Sequence, residues 1–155
     1  MKSFIKFTSI AVFSFIVITC GNKTLTKKDS ATAEANAGIT EKYWKLIEIN
    51  GKPVAMDETM GSEAFIILKN EDQRVNGSGG CNTIFGTYEI SEGNRIKFSQ
   101  MATSMKACLN MDVEVALKKV FDVVDNYTVS EDGKYLSLNR ARMAPLARFE
   151  VVYLK

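Results

Sequence analysis

Beyond residue 40 the hydrophobic positions come in short bursts alternating with polar ones, at a period near two rather than 3.6. Residues 43–49 (YWKLIEI) place Trp44 and Leu46 on one face, with Glu48 continuing the row. Tyr43, Lys45, Ile47 and Ile49 take the other face. Either Tyr43 or Trp44 must therefore point outward. Asn50-Gly51 tolerates the left-handed backbone of a two-residue hairpin turn, and a short strand at 52–54 follows. Pro53 has no N–H to give, which confines that strand to an edge. Residues 56–63 are polar and irregular, and residues 64–68 (AFIIL) form an apolar run of strand length. A turn at 70–72 leads to a strand at 74–77. This strand runs into Gly77, Gly79 and Gly80, where the backbone leaves ordinary torsions or another segment comes close. Residues 83–90 resume the alternation, interrupted at Gly86 as at a bulge, and a short strand at 95–98 follows a turn at 91–94. Later come a hairpin at 127–129 and 135–138, turning at Asp132-Gly133, a loop at 139–145 and a closing strand at 147–154.

One segment has the other period. Val113, Leu117, Val120, Phe121 and Val124 share a stripe, which predicts a helix over about 111–125. Asn110 is its expected N-cap. Asp112 and Glu114 stand in the first turn, near the positive end of the helix dipole, and Lys118, Lys119 and Asp122 face water. Seven or eight short strands with one helix predict a mainly β (α+β) domain. Its expected form is a small antiparallel sheet or partly open barrel with the helix across one opening, which leaves few free edges.

The first 39 residues read differently. Residues 1–19 combine Lys2 and Lys6 with an uncharged, mostly apolar run at 7–19, too short to span a bilayer comfortably. The run ends at Val17-Ile18-Thr19-Cys20-Gly21, which resembles a bacterial lipoprotein signal with Cys20 as the acylated first residue; a plain secretory peptide is the alternative. Acyl chains on Cys20 would anchor the protein to a membrane. Gly21, rather than Asp, after the cysteine suggests by resemblance the outer membrane, facing the periplasm or the surface. Residues 20–39 lack aromatics and apolar periodicity and read as a flexible tether, leaving 40–155 as the folded domain. Loss of Lys2 and Lys6 from the 20 basic residues leaves as many basic as acidic side chains, of which there are 18. With no basic block, no nucleic-acid partner is expected.

The composition also limits the chemistry. The chain has no histidine. That removes Ser-His-Asp and Cys-His nucleophile systems, zincin motifs and most catalytic zinc sites. No catalytic residue, metal or cofactor is assigned, and the protein is expected not to be an enzyme. Of the three cysteines, lipidation of Cys20 leaves Cys81 and Cys108 as an even pair in an oxidising compartment. A bond between them would constrain the unfolded chain by roughly 3.5 kcal/mol; two free buried thiols are the alternative. The glycines at 77, 79 and 80 lack the Gly-Lys-Ser/Thr ending and the following helix of a phosphate loop. Met101, Met105, Cys108 and Met111 are soft ligands of the kind that select Cu(I), although methionine more commonly fills core gaps. The carboxylate pairs Asp57/Glu58, Glu71/Asp72 and Glu131/Asp132 sit in turns and are expected to be solvated.

Taken in order, several short motifs resemble the META domain family, which includes the heat-shock protein HslJ. They are Trp44-x-Leu46, Asn50-Gly51-Lys52-Pro53-Val54, Gly79-Gly80-Cys81-Asn82 with Gly86-x-Tyr88, and Met101-Ala102-Thr103-x-Met105-x-x-Cys108. Glu114-x-x-Leu117 and Leu136-x-Leu138 follow. The resemblance covers about residues 41–155 and implies a small, mostly β domain, often secreted or lipid-anchored, linked in general terms with stress and the envelope. It brings no catalytic residues. The chain departs from the pattern at 139–146, which lacks the glycine expected before the last strand and carries Arg140, Arg142 and Pro145. The expected function is that of a stress- or envelope-related lipoprotein that binds an envelope protein partner. The alternatives are a carrier of a small apolar ligand or lipid, and an inhibitor of a lysozyme or protease presenting the 139–145 loop.

Overall fold

The computed structural model describes residues 38–56 and 58–153; the signal, Cys20 and the tether up to residue 37 lie outside the described residues, while Ile39, expected in the tether, is buried in the core. Nine strands and one principal helix follow in order: β1 Tyr43–Ile49, β2 Lys52–Pro53, β3 Ala64–Leu68, β4 Arg74–Gly79, β5 Thr83–Ser91, β6 Arg95–Thr103, α1 Asp112–Val123, β7 Asn126–Val129, β8 Tyr135–Asn139 and β9 Ala147–Val152. They form one antiparallel sheet in the order β2-β1-β3-β4-β5-β6-β7-β8-β9, and a further β1–β9 pairing closes it in a ring.

Closure depends on β1. One edge pairs with β9 along its length, while the other pairs with β3 at Trp44 and Lys45 and with β2 at Glu48 and Ile49. The register slips between Leu46 and Glu48. That bulge corrects the alternation expected from the sequence: Ile49, not Glu48, turns inward and is 7% exposed. Glu48 instead meets Arg148 at 3.3 Å. Trp44 is the inward member of its pair, and its ring N–H donates to the Ile39 carbonyl at 2.8 Å, tying the entering chain to the core. Trp44, Leu46, Ile66, Leu68, Leu136, Leu138 and Phe149 are all buried and pack in one cluster that fills the interior of the ring.

The weakest seam lies between β6 and β7, which share one pair, Arg95 with Asn126. There α1 takes over the closure. Phe121 packs on Phe98 with ring centroids 4.7 Å apart, and the Ile96 N–H donates to the Asp125 carbonyl at 3.3 Å. β6 is longer than expected because a register shift between Phe85 and Thr87, at Gly86, and a left-handed Gln100 let pairing resume up to Thr103. The helix is shorter than expected. Asn110 is not the N-cap: Met111 holds that position without a side-chain cap bond, Asn110 one residue earlier accepts the Asp112 N–H at 3.0 Å, and Val124 is already extended.

Outside the ring, Tyr43 stacks on Phe65 at 4.3 Å and donates its hydroxyl to Glu63 at 3.0 Å. Tyr88 points inward and donates to the Lys69 carbonyl at 3.0 Å. Burial, reinforced by the neighbouring Glu63 carboxylate, pushes the Tyr43 phenol up to about 12. Burial does the same to Tyr88, aided by Glu41 and Asp72, also to about 12. In the glycine-poor loop before β9, Ala141 takes the left-handed backbone at φ +51. Asp125 holds the Ala141 N–H at 2.9 Å and Asn126 holds its carbonyl at 2.9 Å.

Two predictions follow from these positions. A left-handed alanine costs roughly 1–2 kcal/mol, partly offset by the greater freedom of an unfolded glycine. Ala141→Gly should therefore raise unfolding stability by about 0.5–1 kcal/mol in urea titration. Both phenols keep their protons to higher pH in the folded chain than in the unfolded one, which ionises near 10.0. Their contribution to stability is complete below pH 10 and is lost as the pH rises towards about 12. The melting temperature should fall across that window, and less steeply in Tyr43→Phe and Tyr88→Phe.

Candidate functional site

The turn between β4 and β5 is where the sequence motifs converge. The Gly79 N–H donates to the Asn82 carbonyl at 2.9 Å, and the Gly80 N–H donates to the Ser78 hydroxyl at 3.1 Å. Gly80 has φ +101, a conformation that a side chain disfavours. Gly79 is required for a different reason: a Cβ there would lie 2.6 Å from Cγ of Glu114 on the helix above it. The Gly80 carbonyl accepts the Ser62 N–H at 2.9 Å, and the Ser62 and Ser78 hydroxyls lie 2.6 Å apart. The irregular segment before β3 is thereby joined to the same turn.

Asn82 is 1% exposed, and its amide is fully used. Oδ1 accepts from the Ser104 hydroxyl at 2.8 Å and from the Lys106 N–H at 2.6 Å. Nδ2 donates to Glu114 Oε1 at 3.1 Å and to the Lys106 carbonyl at 3.3 Å. Its backbone N–H donates to Glu114 Oε2 at 2.7 Å. Two donors and two lone pairs are all that an asparagine amide offers, so one side chain ties the turn, the helix and the segment after β6 together. Glu114, 3% exposed, has both oxygens engaged by Asn82. A carboxylate buried this deeply is tolerated when such hydrogen bonds compensate it. The disulfide adds a covalent tie across the same junction: Cys81 and Cys108 are bonded, with Cα atoms 6.0 Å apart and 27 positions apart in sequence.

The result is an irregular strap from Ser104 to Asn110. Ser104 and Thr83 bond reciprocally: the Ser104 N–H donates to the Thr83 carbonyl at 3.1 Å, and the Thr83 N–H donates to the Ser104 hydroxyl at 3.1 Å. At the far end the Asn110 N–H donates to the Thr59 carbonyl at 3.3 Å.

The structure brings together Gly79, Gly80, Cys81, Asn82 and Cys108. Thr103 pairs with Ile84 at the end of β6, and Met101 lies over Gly86, where a Cβ would meet its sulfur at 2.5 Å. Met105 is not part of the cluster. It is 98% exposed, so the expectation that methionine fills core gaps fails at this position. With Cys108 in the disulfide, the soft-ligand set loses its thiolate. Among the described residues, no group of three or more His, Cys, Asp or Glu is placed to hold a metal ion. The turn carboxylates serve local structure: Asp72 accepts the Arg74 N–H at 3.2 Å, and Asp132 accepts the Ser130 hydroxyl at 2.6 Å and the Lys134 N–H at 3.0 Å. Those bonds hold the Asp132 carboxyl below its ordinary range. The 139–145 loop is tethered at Ala141 by Asp125 and Asn126.

Sequence reasoning missed Glu114 and Ser104 as members of the site. The signal for Glu114 was present: it stands three residues before Leu117 and seven before Phe121, so it falls within the apolar stripe. A carboxylate in that position needs a buried partner. Beside the site, a groove of about 500 Å3 runs between the β1–β2 hairpin and α1, with Ile49, Val54, Met60 and Val113 among its lining.

Fold and site together define a small antiparallel β ring, closed by one helix and strapped by a disulfide over a buried asparagine. The chain belongs to the META domain family, whose model matches residues 37–153. Among curated proteins, none matches the chain. A solved structure, the NMR structure of a protein from Burkholderia xenovorans, is similar at a TM-score of 0.61 and 18% identity. The match covers 77% of this chain and 87% of that one, and at this identity it speaks for the fold alone.

The network sets an order of sensitivities. Removing Asn82 orphans several buried groups, each worth about 1–3 kcal/mol, so Asn82→Ala should cost about 3 kcal/mol or more in denaturant titration. Asn82→Asp should cost more still, because it sets a second carboxylate against Glu114. Ser104→Ala should cost only about 1 kcal/mol.

Proposed function

We propose that the protein is a non-enzymatic lipoprotein of the bacterial envelope, anchored in the outer membrane through Cys20, whose META domain binds an envelope protein partner under stress. The family and the signal-like run before Cys20 support the location. The observation that carries the binding role is the commitment of the buried polar groups. Asn82 and Glu114 use their side chains on each other and on the strap, so the site builds shape and holds it. Recognition then falls to the fixed outer surface of the domain. The packed interior of the ring favours this reading over that of a carrier holding its ligand inside.

Two measurements test the proposal. Metabolic labelling with a fatty acid should mark the wild type and not Cys20→Ser; an unlabelled wild type would overturn the anchor. Crosslinking in intact cells should recover a protein that a control carrying only residues 1–39 does not. Recovery equal to that control would overturn the partner.

A further inference from the structure

The strap is held from beneath and open above. Its backbone is fixed: the N–H and carbonyl of Lys106 both bond to Asn82, and Cys108 is bonded to Cys81. The side chains of Met105, Lys106, Ala107 and Leu109 all face out, with Met105 98% and Leu109 92% exposed. Large apolar side chains on a loose loop would fold back onto the domain. Here Asn82 and the disulfide fix the backbone between them, which leaves Met105 and Leu109 exposed.

Beside Met105 the exposed charges of the strap's depression are positive, while the exposed carboxylates Glu58 and Asp112 lie toward Leu109. Met105, Lys106, Met111 and Lys118 line a shallow depression of about 330 Å3, together with Glu114. Lys106 and Lys118 are exposed, whereas Glu114 is buried and bonded to Asn82. At Met105 the face therefore offers an apolar side chain flanked by two exposed lysines. A bilayer surface with anionic headgroups complements both features.

We propose that the strap is a membrane-docking element: Met105 and Leu109 enter the interfacial layer of an anionic bilayer while Lys106 and Lys118 meet its headgroups. Docking there goes beyond the partner-binding role and does not need the lipid on Cys20. If that anchor is present, residues 21–37 reach at most about 60 Å when fully extended, enough to lay the strap on the same bilayer.

The test uses the mature chain carrying Cys20→Ser, so that no acyl chain contributes and a failed anchor cannot imitate a failed strap. Co-sedimentation is measured with phosphatidylglycerol-containing vesicles and with pure phosphatidylcholine vesicles. The chain should bind the anionic vesicles, more weakly at high salt, and bind the neutral ones poorly. Met105→Ser with Leu109→Ser should lower the partition coefficient by at least about tenfold. Lys106→Gln with Lys118→Gln should lower it by about tenfold on anionic vesicles alone. Leu109→Trp should show a blue-shifted emission on binding, which reports the depth of the strap whatever the other variants do. No binding to anionic vesicles, undiminished binding by the serine variant, or an unshifted tryptophan would each overturn the proposal. Loss of a crosslinked protein in the serine variant, with vesicles ignored by the parent chain, would overturn it in favour of a protein-docking face.

Discussion

The saturated amide of Asn82 is the interaction on which the rest of this molecule depends. Three segments distant in sequence meet at it: the β4–β5 turn, the strap after β6 and the first turn of the helix. Only a side chain with two donors and an acceptor of comparable reach serves all three. An aspartate would present oxygens to Glu114, and a serine would reach one partner. The neighbouring residues follow from this choice. Gly79 must lack a side chain because Glu114 descends onto it, and Glu114 must descend because the Asn82 N–H groups need an acceptor where water does not reach. The disulfide then joins chain ends that these hydrogen bonds already hold together.

The same junction explains how an eight-membered ring of strands closes with a poor seam. β6 and β7 barely pair, because the chain between them is spent on the strap and the helix. The helix pays this back by packing Phe121 on Phe98 and covering the gap with its apolar stripe. Its start is set by the strap and Asn110, its first turn by Glu114 and its far end by Asp125. Asp125 holds Ala141 and thereby the loop into β9. The last strand of the ring is thus positioned partly from the helix that mends its weakest point. Small size makes such coupling useful, since a domain of this length buries a limited core and gains from ties between distant segments.

Much of the fold was legible in the residues. Period-two alternation located the strands, Asn50-Gly51 located the first hairpin, and the helical stripe named the buried residues Leu117, Val120, Phe121 and Val124. What escaped was whatever depends on a partner strand. The slip between Leu46 and Glu48 exists only because β9 lies beside β1, so alternation alone put Ile49 on the wrong face. The extension of β6 to Thr103 likewise depends on β5. At the site, the resemblance placed the glycines, Asn82 and both cysteines in one motif set, while the roles of Glu114 and Ser104 required the geometry. The exposure of Met105 was illegible for a clear reason: a methionine in a cysteine-bearing segment reads as core until the hydrogen bonds that hold the strap's backbone at the surface are known.

Amide hydrogen exchange at Lys106 in the mature chain bears most directly on whether Asn82 holds the strap. The Lys106 N–H is bound by Asn82 Oδ1 at 2.6 Å, so its protection reports that grip rather than the sulfur bond. Protection should persist when the Cys81–Cys108 disulfide is reduced and should collapse in Asn82→Ala with the disulfide intact. Protection that vanishes on reduction but survives in Asn82→Ala would mean that the disulfide holds the strap and the asparagine merely fills space beneath it.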